Sequence, residues 1–341
     1  MRNDLILCGV GAMGQRIARL ALARDYPIRA VVDRDPAKAG IALHELLDIP
    51  EPEQPVIITP DLNLALQGEK ATVMHATGSF LTDVAPMLRD CLEKGHDVIS
   101  IAEEMIYPMA ADRKLASELD ELARLHGARL LGTGVNPGFA MDVLLLALTV
   151  PCGQVGHLYA RRCNDLSDFG ATVLDSQGVG LTIQAFERAV AAGEVVGHVG
   201  FRQSICLMAA QLGWPVDRIE EHKVPIVTRV ARSTPHVSVA PGEVAGCHHE
   251  AVAYCGDREV IRLEHPQQIR PELEGIETSD FARISGDQAI EMRISPEVGG
   301  GAGTAACAVN AIAYLPLARP GLVHLNELPL TAPRFAQSPL D

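Results

Sequence analysis

The sequence predicts an α/β protein whose N-terminal part is a doubly wound parallel sheet, and two observations carry that prediction. Short apolar runs typical of buried strands alternate with amphipathic helical stretches from the N-terminus to about residue 140. A glycine-rich turn joins the first apolar run to the first helix. Strands that alternate with helices form parallel sheets, because a parallel connection requires a crossover.

The glycine turn has the pattern G-x-G-x-x-G. In this context the first glycine permits a tight turn, the second lets a pyrophosphate approach the backbone, and the third lets helix and strand pack closely. The N–H groups and the dipole at the helix N-terminus favour phosphate. The turn therefore predicts a dinucleotide-binding Rossmann unit. The residues expected at the cofactor are Gly9, Gly11, Ala12, Met13 and Gly14.

The second strand ends at an acidic residue. Asp33 lies 19 residues after Gly14, where a carboxylate accepts hydrogen bonds from the ribose hydroxyls. This position favours NAD, because a 2′-phosphate would meet its negative charge. Arg34 follows at once and Lys38 is close, and either can turn towards a 2′-phosphate. The predicted cofactor is NAD or NADP, with NAD slightly favoured.

The rest of the N-terminal part continues the alternation. Helices are expected over 36–47, 84–94 and 116–126, and strands over 56–59, 71–76, 97–101 and 129–131. Thr77 and Gly78 follow the strand 71–76, whose carboxyl end faces the crevice for the nicotinamide half of the cofactor. Both are candidate cofactor contacts, and the alternative is a plain strand-to-helix cap.

Three parts are predicted. Residues 1–140 form the dinucleotide-binding domain, and residues 141–302 form an α+β domain with a mixed sheet. Strand candidates of the second part are 155–162, 224–231, 245–254, 259–263 and 289–294. Residues 303–341 form a C-terminal helix and tail that pack on the first domain. The glycines of 299–303 open that helix, either to bind an anion or to allow close packing.

Glu103 and Glu104 follow the strand 97–101 and are the main candidates for chemistry. Adjacent carboxylates raise each other's pKa by repulsion, and partial burial adds to this effect. A carboxylate at this edge can hold an ammonium group or exchange protons with water. The alternative is a solvated acidic pair stabilised by a helix dipole.

Three further residues have functional and structural interpretations. Asn136, in an Asn-Pro-Gly turn, offers a donor and an acceptor at the predicted domain boundary and is a candidate contact for substrate and cofactor, and the alternative is ordinary turn chemistry. Arg161 and Arg162 are expected on opposite faces of their strand. One of them can grip a carboxylate bidentately, whereas the alternative is surface charge.

Charge and composition exclude several classes. The net charge is −14, and no basic segment suits nucleic acid or an anionic membrane. The longest apolar run, 143–150, is too short to span a bilayer. Eight cysteines without a C-x-x-C pair suit reduced thiols in a cytoplasm, and no signal peptide is expected. His248 and His249 point to opposite sides of a strand, so no metal site is predicted.

Several motifs together resemble a known family. They are GVGAMG at 9–14, Glu103-Glu104 with Tyr107-Pro108, GTGVNPGF at 132–139, QGVG at 177–180, GHVGF at 197–201, LGW at 212–214, PEVGGG at 296–301 and VNA at 309–311. The chain resembles the 2,4-diaminopentanoate dehydrogenases and the related native amine dehydrogenases. Their N-terminal domain is like that of dihydrodipicolinate reductase.

The resemblance implies reversible oxidative deamination. A hydride passes from the amine-bearing carbon to the nicotinamide, and water hydrolyses the resulting iminium to a ketone and ammonia. For the diamino acid the product is 2-amino-4-oxopentanoate. The resemblance places a substrate-holding glutamate at Glu103 or Glu104, with Glu103 favoured. We also expect Arg161 or Arg162 to take a carboxylate, Thr304 to line the same pocket, and the second domain's sheet to form a homodimer.

Three alternatives remain at this point. The first is an amine dehydrogenase that acts on simple ketones and amines. The second is an imine reductase like dihydrodipicolinate reductase, although that enzyme's basic helix motif is absent from this sequence. The third is an NAD-binding regulator without catalytic activity.

Overall fold

The computed structural model describes residues 4–334 of the 341-residue chain. Residues 335–341 of the predicted C-terminal part lie outside this range, as do residues 1–3. The described chain divides into two compact units. The first comprises 4–138 and 299–334, and the second comprises 139–298.

The N-terminal segment alternates strands and helices. Its elements are β1 (Leu5–Cys8), α1 (Ala12–Ala23), β2 (Ile28–Val32), α2 (Leu43–Leu47), β3 (Ile58–Thr59), α3 (Leu62–Ala65), β4 (Thr72–His75), α4 (Leu81–Glu93), β5 (Asp97–Ser100), α5 (Arg113–Leu125) and β6 (Arg129–Gly132). A short 3₁₀ turn, Glu103–Ile106, follows β5.

The middle segment forms the second unit. Its elements are α6 (Val143–Thr149), β7 (Val155–Asp165), α7 (Ala171–Ser176), α8 (Ile183–Ala192), α9 (Phe201–Leu212), β8 (Arg218–Val227), β9 (Arg232–Ser233), β10 (Ser238–Val239), β11 (Val244–Cys255), β12 (Arg258–Gln268), β13 (Ser279–Gly286) and β14 (Ala289–Ile294). The C-terminal segment adds α10 (Gly300–Ala311) and β15 (Gly321–Val323) to the first unit.

The first unit is a parallel sheet in the order β15-β6-β5-β4-β1-β2-β3. Alternate residues of β1 face opposite sides. Leu5 and Leu7 join a core with α1 and α10, whereas Ile6 and Cys8 join a core with α4 and α5. Helices therefore cover both faces, and the predicted doubly wound sheet with a returning C-terminal helix is confirmed.

The second unit contains a mixed sheet in the order β14-β13-β7-β12-β11-β8. The β7–β12 pair is parallel, and the other neighbouring pairs are antiparallel. This confirms the predicted mixed-sheet second domain.

The helix predicted over 36–47 is wrong in its first half, because α2 begins only at Leu43. Backbone hydrogen bonds hold the chain before it against the segment that leads into β3. The amide of Leu43 donates to Val56, and the amide of Ile58 donates to Ile41. An extended conformation at Ala42 satisfies these bonds, so the helix cannot begin earlier.

Candidate functional site

The glycine turn joins β1 to α1 within the first unit. A Cβ added at Gly14 would lie 1.9 Å from the carbonyl oxygen of Gly9. A Cβ at Gly9, where φ is +92°, would lie 2.5 Å from the carbonyl oxygen of Ala76. By contrast, no heavy atom lies within 4 Å of the Cβ position at Gly11. The turn is closely packed on Ala76, just after β4, and open at Gly11, the geometry that lets a pyrophosphate approach the backbone.

The carboxylate of Asp33 is held firmly beside this turn. It accepts hydrogen bonds from the amides of Val10 at 2.8 Å and Asp35 at 2.9 Å, and from Lys38 Nζ at 3.0 Å. Burial by itself raises the pKa of Asp33, but these two amides and the ammonium group outweigh burial and lower the pKa. Asp33 therefore carries its charge at neutral pH, and Arg34 beside it is exposed.

A cavity of about 460 Å³ opens between the glycine turn, the end of β2 and the start of α4. Residues from these elements line it: Gly9, Gly11, Val32, Asp33, Arg34, Lys38, Ala76, Thr77, Gly78, Asp83, Val84, Pro86 and Met87. Most of the predicted cofactor residues thus share one cavity. Ala12 and Met13 form the first turn of α1 beside it, and Met13 packs against the core.

The loops after β4 and β5 are joined by hydrogen bonds. The amide of Glu104 donates to the carbonyl of Ser79 at 3.1 Å. The carboxylate of Glu104 accepts the amide of Leu81 at 2.7 Å, so it satisfies a free N–H in the first turn of α4. Glu104 therefore fixes one loop to the other.

Glu103 is in a different environment. Burial raises the pKa of Glu103, and the negative charge of Glu104 adds to the increase. The amide of Glu103 and the hydroxyl of Ser79 lower the pKa without cancelling the increase. Glu103 is therefore a carboxyl group whose proton exchanges closer to neutral pH than usual, which is a property of acid–base groups in active sites.

Asn136 and Thr304 come together in the first unit. Asn136 lies in the turn after β6, and its peptide bond to Pro137 is cis. The amide of Val135 donates to Thr304 Oγ1 at 3.2 Å, which connects this turn to α10. Thr304 therefore lies beside the turn of Asn136, and its hydroxyl can still donate a hydrogen bond.

The two arginines belong to the second unit and lie on opposite sides of β7, as predicted. Arg162 is buried and forms an ion pair with Asp280 at 2.5 Å. It also donates to the carbonyl of Val298. These partners argue against Arg162 as a carboxylate clamp. Arg161 is more exposed, and its Nε lies 3.6 Å from Glu264.

Sequence reasoning did not single out His75, which is buried at the end of β4. Its two ring nitrogens contact the hydroxyls of Thr77 and Ser100. The signal was present, since a histidine in the otherwise apolar strand TVMH requires polar partners. Within residues 4–334, no group of three or more His, Cys, Asp or Glu side chains is arranged to hold a metal ion. Over the same range, no helix is long and apolar enough to cross a membrane.

The parallel sheet, the glycine turn and the open cavity beside it define a dinucleotide-binding protein of the Rossmann class. Residues 139–338 match the family model described as the 2,4-diaminopentanoate dehydrogenase C-terminal domain. The 2,4-diaminopentanoate dehydrogenase of Acetoanaerobium sticklandii is 38% identical over 329 residues, which cover 96% of this chain and 93% of that protein. The chain belongs to the 2,4-diaminopentanoate dehydrogenase family.

More distant relatives are amine dehydrogenases. The amine dehydrogenase of Streptomyces virginiae is 25% identical over 95% of this chain and 96% of its own length. The solved structure of the amine dehydrogenase from Mycobacterium smegmatis superposes with a TM-score of 0.85 and 25% identity, over 97% of each chain. The family and the fold therefore agree that the protein is a dehydrogenase.

Proposed function

We propose that this enzyme catalyses the reversible oxidative deamination of 2,4-diaminopentanoate to 2-amino-4-oxopentanoate and ammonia. The observation that carries the proposal is the environment of Glu103. This carboxyl group has a raised pKa and lies in the loop next to the one that lines the coenzyme cavity. Family membership supports the choice of a diamino acid.

The roles of the residues follow from their chemistry. As a carboxylate, Glu103 binds the substrate ammonium group and takes up one of its protons. The carbon that bears the resulting neutral amine can then lose a hydride. Glu104 holds the loop of Glu103 against α4. The nicotinamide coenzyme, when bound, supplies the hydride acceptor. Asn136 and Thr304 are the further side chains of the first unit that we assign to the substrate or coenzyme.

The coenzyme is proposed to be NAD rather than NADP. The charged carboxylate of Asp33 suits ribose hydroxyls and repels a 2′-phosphate. Lys38 reduces this repulsion, because its ammonium group is already paired with Asp33. We therefore expect a preference for NAD without complete exclusion of NADP.

A panel of substrates tests the activity. NAD and NADP reduction is measured with 2,4-diaminopentanoate, simple amines and α-amino acids at alkaline pH, with release of ammonia as a second readout. We expect the highest kcat/KM with the diamino acid and NAD. An enzyme that turns over no amine with either coenzyme would contradict the proposal.

The second candidate activity is that of an amine dehydrogenase on simple ketones and amines. The likeness to the Mycobacterium smegmatis enzyme along 97% of each chain favours it. A simple amine needs no carboxylate clamp, and the ion pair of Arg162 removes one candidate for that clamp. Higher kcat/KM with simple amines in the same panel would select this activity.

A homodimer formed through the sheet of the second unit is also proposed. One face of that sheet carries partly exposed polar and aromatic side chains, among them Arg161, Arg262 and the edge-to-face pair Tyr159–Phe281. Such side chains are common in protein interfaces. We also propose a cytoplasmic location, since all eight cysteines are free thiols. Light scattering of the purified protein measures the mass of the assembly.

A further inference from the structure

Three polar side chains form a hydrogen-bonded chain at the ends of β4 and β5. Thr77 Oγ1 lies 2.6 Å from His75 Nε2, and His75 Nδ1 lies 2.9 Å from Ser100 Oγ. The amide of Ala102 donates to the same Ser100 Oγ at 3.2 Å. His75 and Ser100 are buried, whereas Thr77 lines the cavity beside the glycine turn. This series of hydrogen bonds therefore connects the interior of the sheet with the candidate coenzyme site.

The burial of Ser100 sets the direction of these hydrogen bonds, because the proton of a buried hydroxyl needs an acceptor. Ser100 Oγ has two partners, the amide of Ala102, which can only donate, and His75 Nδ1, so the hydroxyl proton of Ser100 goes to Nδ1 and this ring nitrogen carries none. The single proton of a neutral imidazole is then on Nε2, from which it is donated to Thr77 Oγ1. Burial lowers the pKa of His75 to about 4, which keeps the ring neutral at the pH of an assay.

Thr77 is thereby left with its own hydroxyl proton for another acceptor. With this tautomer its oxygen, 2.6 Å from His75 Nε2, accepts a hydrogen bond from the imidazole, and its side chain borders the cavity. A nicotinamide coenzyme presents many oxygen acceptors, on its phosphates, riboses and carboxamide. A donor whose orientation is fixed before binding loses little entropy when the bond forms.

We propose that His75 and Ser100 are positioning residues that hold the Thr77 hydroxyl as a hydrogen-bond donor towards an oxygen of the bound coenzyme. The inference rests on the proposed coenzyme site. It explains why a buried strand contains a histidine and why that histidine has a hydroxyl partner on each ring nitrogen. A merely structural histidine would stabilise the sheet without any link to coenzyme affinity.

Direct binding of NADH, followed by its fluorescence without any amine, tests the inference. Thr77→Val removes the hydroxyl at nearly constant volume, and Thr77→Ser retains it. We expect Thr77→Val to weaken binding about five- to tenfold and Thr77→Ser to bind within about twofold of the parent protein. Equal affinity of Thr77→Val and the parent would overturn the proposal.

A double-mutant cycle tests the link through His75. Ser100→Ala removes the donor to Nδ1 and frees the tautomer, so we expect about two- to fivefold weaker binding of NADH. In the Thr77→Val background the same change should have no further effect, because the hydroxyl that it positions is gone. An equal loss in both backgrounds would show a purely structural role and contradict the proposal.

A second pair of variants covers the case in which Ser100→Ala does not fold. The amide nitrogen of Gln can replace Nε2 as the donor to Thr77, so His75→Gln should bind NADH more tightly than His75→Leu. Equal affinities of these two variants would count against the link. A protein that binds NADH as expected but turns over no amine would contradict the proposed function and leave this inference intact.

Discussion

Glu103 and Glu104 are adjacent in the sequence, yet their carboxylates have different partners. The sequence predicted a raised pKa mainly from mutual repulsion, whereas burial is the largest cause in the structure for Glu103. Glu104 accepts the amide of Leu81 at the start of α4. Sequence spacing places both acids after the same strand, but only the fold of the two loops separates their roles.

Replacement of Glu103 tests its assignment as the acid–base group. We expect Glu103→Gln to lower kcat/KM with the diamino acid by about 10²- to 10⁴-fold and to leave NADH binding nearly unchanged. In the parent enzyme kcat/KM should fall as the pH drops through the raised pKa of Glu103, because the carboxylate form is the active one. The variant should lack this acidic limb of the pH profile.

Glu104→Gln is the matched control for that experiment. The change weakens a charge-assisted bond to the amide of Leu81 at the N-terminus of α4, so we expect a loss of about 0.5–1 kcal/mol in unfolding free energy. Activity should change much less than in Glu103→Gln. A larger loss of kcat/KM in Glu104→Gln, with the fold intact, would reverse the assignment of the two residues.

Asp33→Asn tests the coenzyme preference. The variant removes the negative charge of Asp33 and its ion pair with Lys38, which keeps only its weaker pair with Asp35 at 3.5 Å, so the repulsion of a 2′-phosphate by Asp33 disappears. We expect the ratio of kcat/KM for NAD to that for NADP to fall by about tenfold, the effect of one charge-assisted contact. An unchanged ratio would mean that Asp33 does not face the ribose.

At the scale of elements, the sequence predicted most of what hydrophobic periodicity can reveal. β1, α1 and β2 are correct because strand, glycine turn and helix follow one another within about thirty residues. The strand β15 was missed, since three residues give no periodic signal, and its pairing with β6 is a long-range contact. The helix predicted over 36–47 was wrong in its first half for a similar reason, because residues 41–43 pair with 56–58.

The end of β6 packs against the turn that carries Glu103. A Cβ at Gly132 would lie 2.0 Å from the carbonyl oxygen of Met105, so any side chain there must displace this turn. We expect Gly132→Ala to reduce kcat by at least about tenfold, with a smaller effect on NADH binding, because the displaced group is the acid. Gly170→Ala is the control, since no heavy atom lies within 4 Å of its Cβ position. Unchanged kcat in Gly132→Ala would show that the turn tolerates the shift.

At the scale of the whole molecule, each unit contains a buried neutral histidine. Burial lowers the pKa of His75 to about 4 in the first unit, and burial with neighbouring positive charge lowers the pKa of His198 to about 3 in the second. An unfolded chain binds a proton at each histidine below about pH 6.5. The folded state does not, so protons favour unfolding as the pH falls.

We therefore expect the contribution of these histidines to the unfolding free energy of each unit to be fully present above about pH 6.5. It should fall by about 1.4 kcal/mol per pH unit for each such histidine as the pH drops towards 4. Denaturant unfolding between pH 8 and pH 5 measures this slope. His198→Gln should reduce this slope in the second unit by the share of one histidine, because burial also lowers the pKa of the neighbouring His265, whereas the exposed His126→Gln should leave the slope unchanged. A slope that is equal in His198→Gln and the parent would contradict the prediction.

Sequence reasoning placed a domain boundary near residue 140 because the regular alternation of strands and helices ends there. It could not assign Arg162 to a buried ion pair, because Asp280 is 118 residues away in the sequence and meets it only through the pairing of β7 with β13. The hydrogen bond between His75 and Ser100 could not be predicted for the same reason, since the two residues lie on separate strands. Residue type indicates chemistry, but partners depend on the fold.

The first unit is assembled from two distant stretches of chain, 4–138 and 299–334, and one of its two cores includes α10 and β15. During synthesis the ribosome therefore releases the glycine turn about 290 residues before the helix that covers α1. Until then the nascent nucleotide-binding unit exposes apolar surface on one side of its sheet. Completion of this unit has to wait until α10 and β15 have been synthesised, which makes chaperone protection of the nascent chain advantageous.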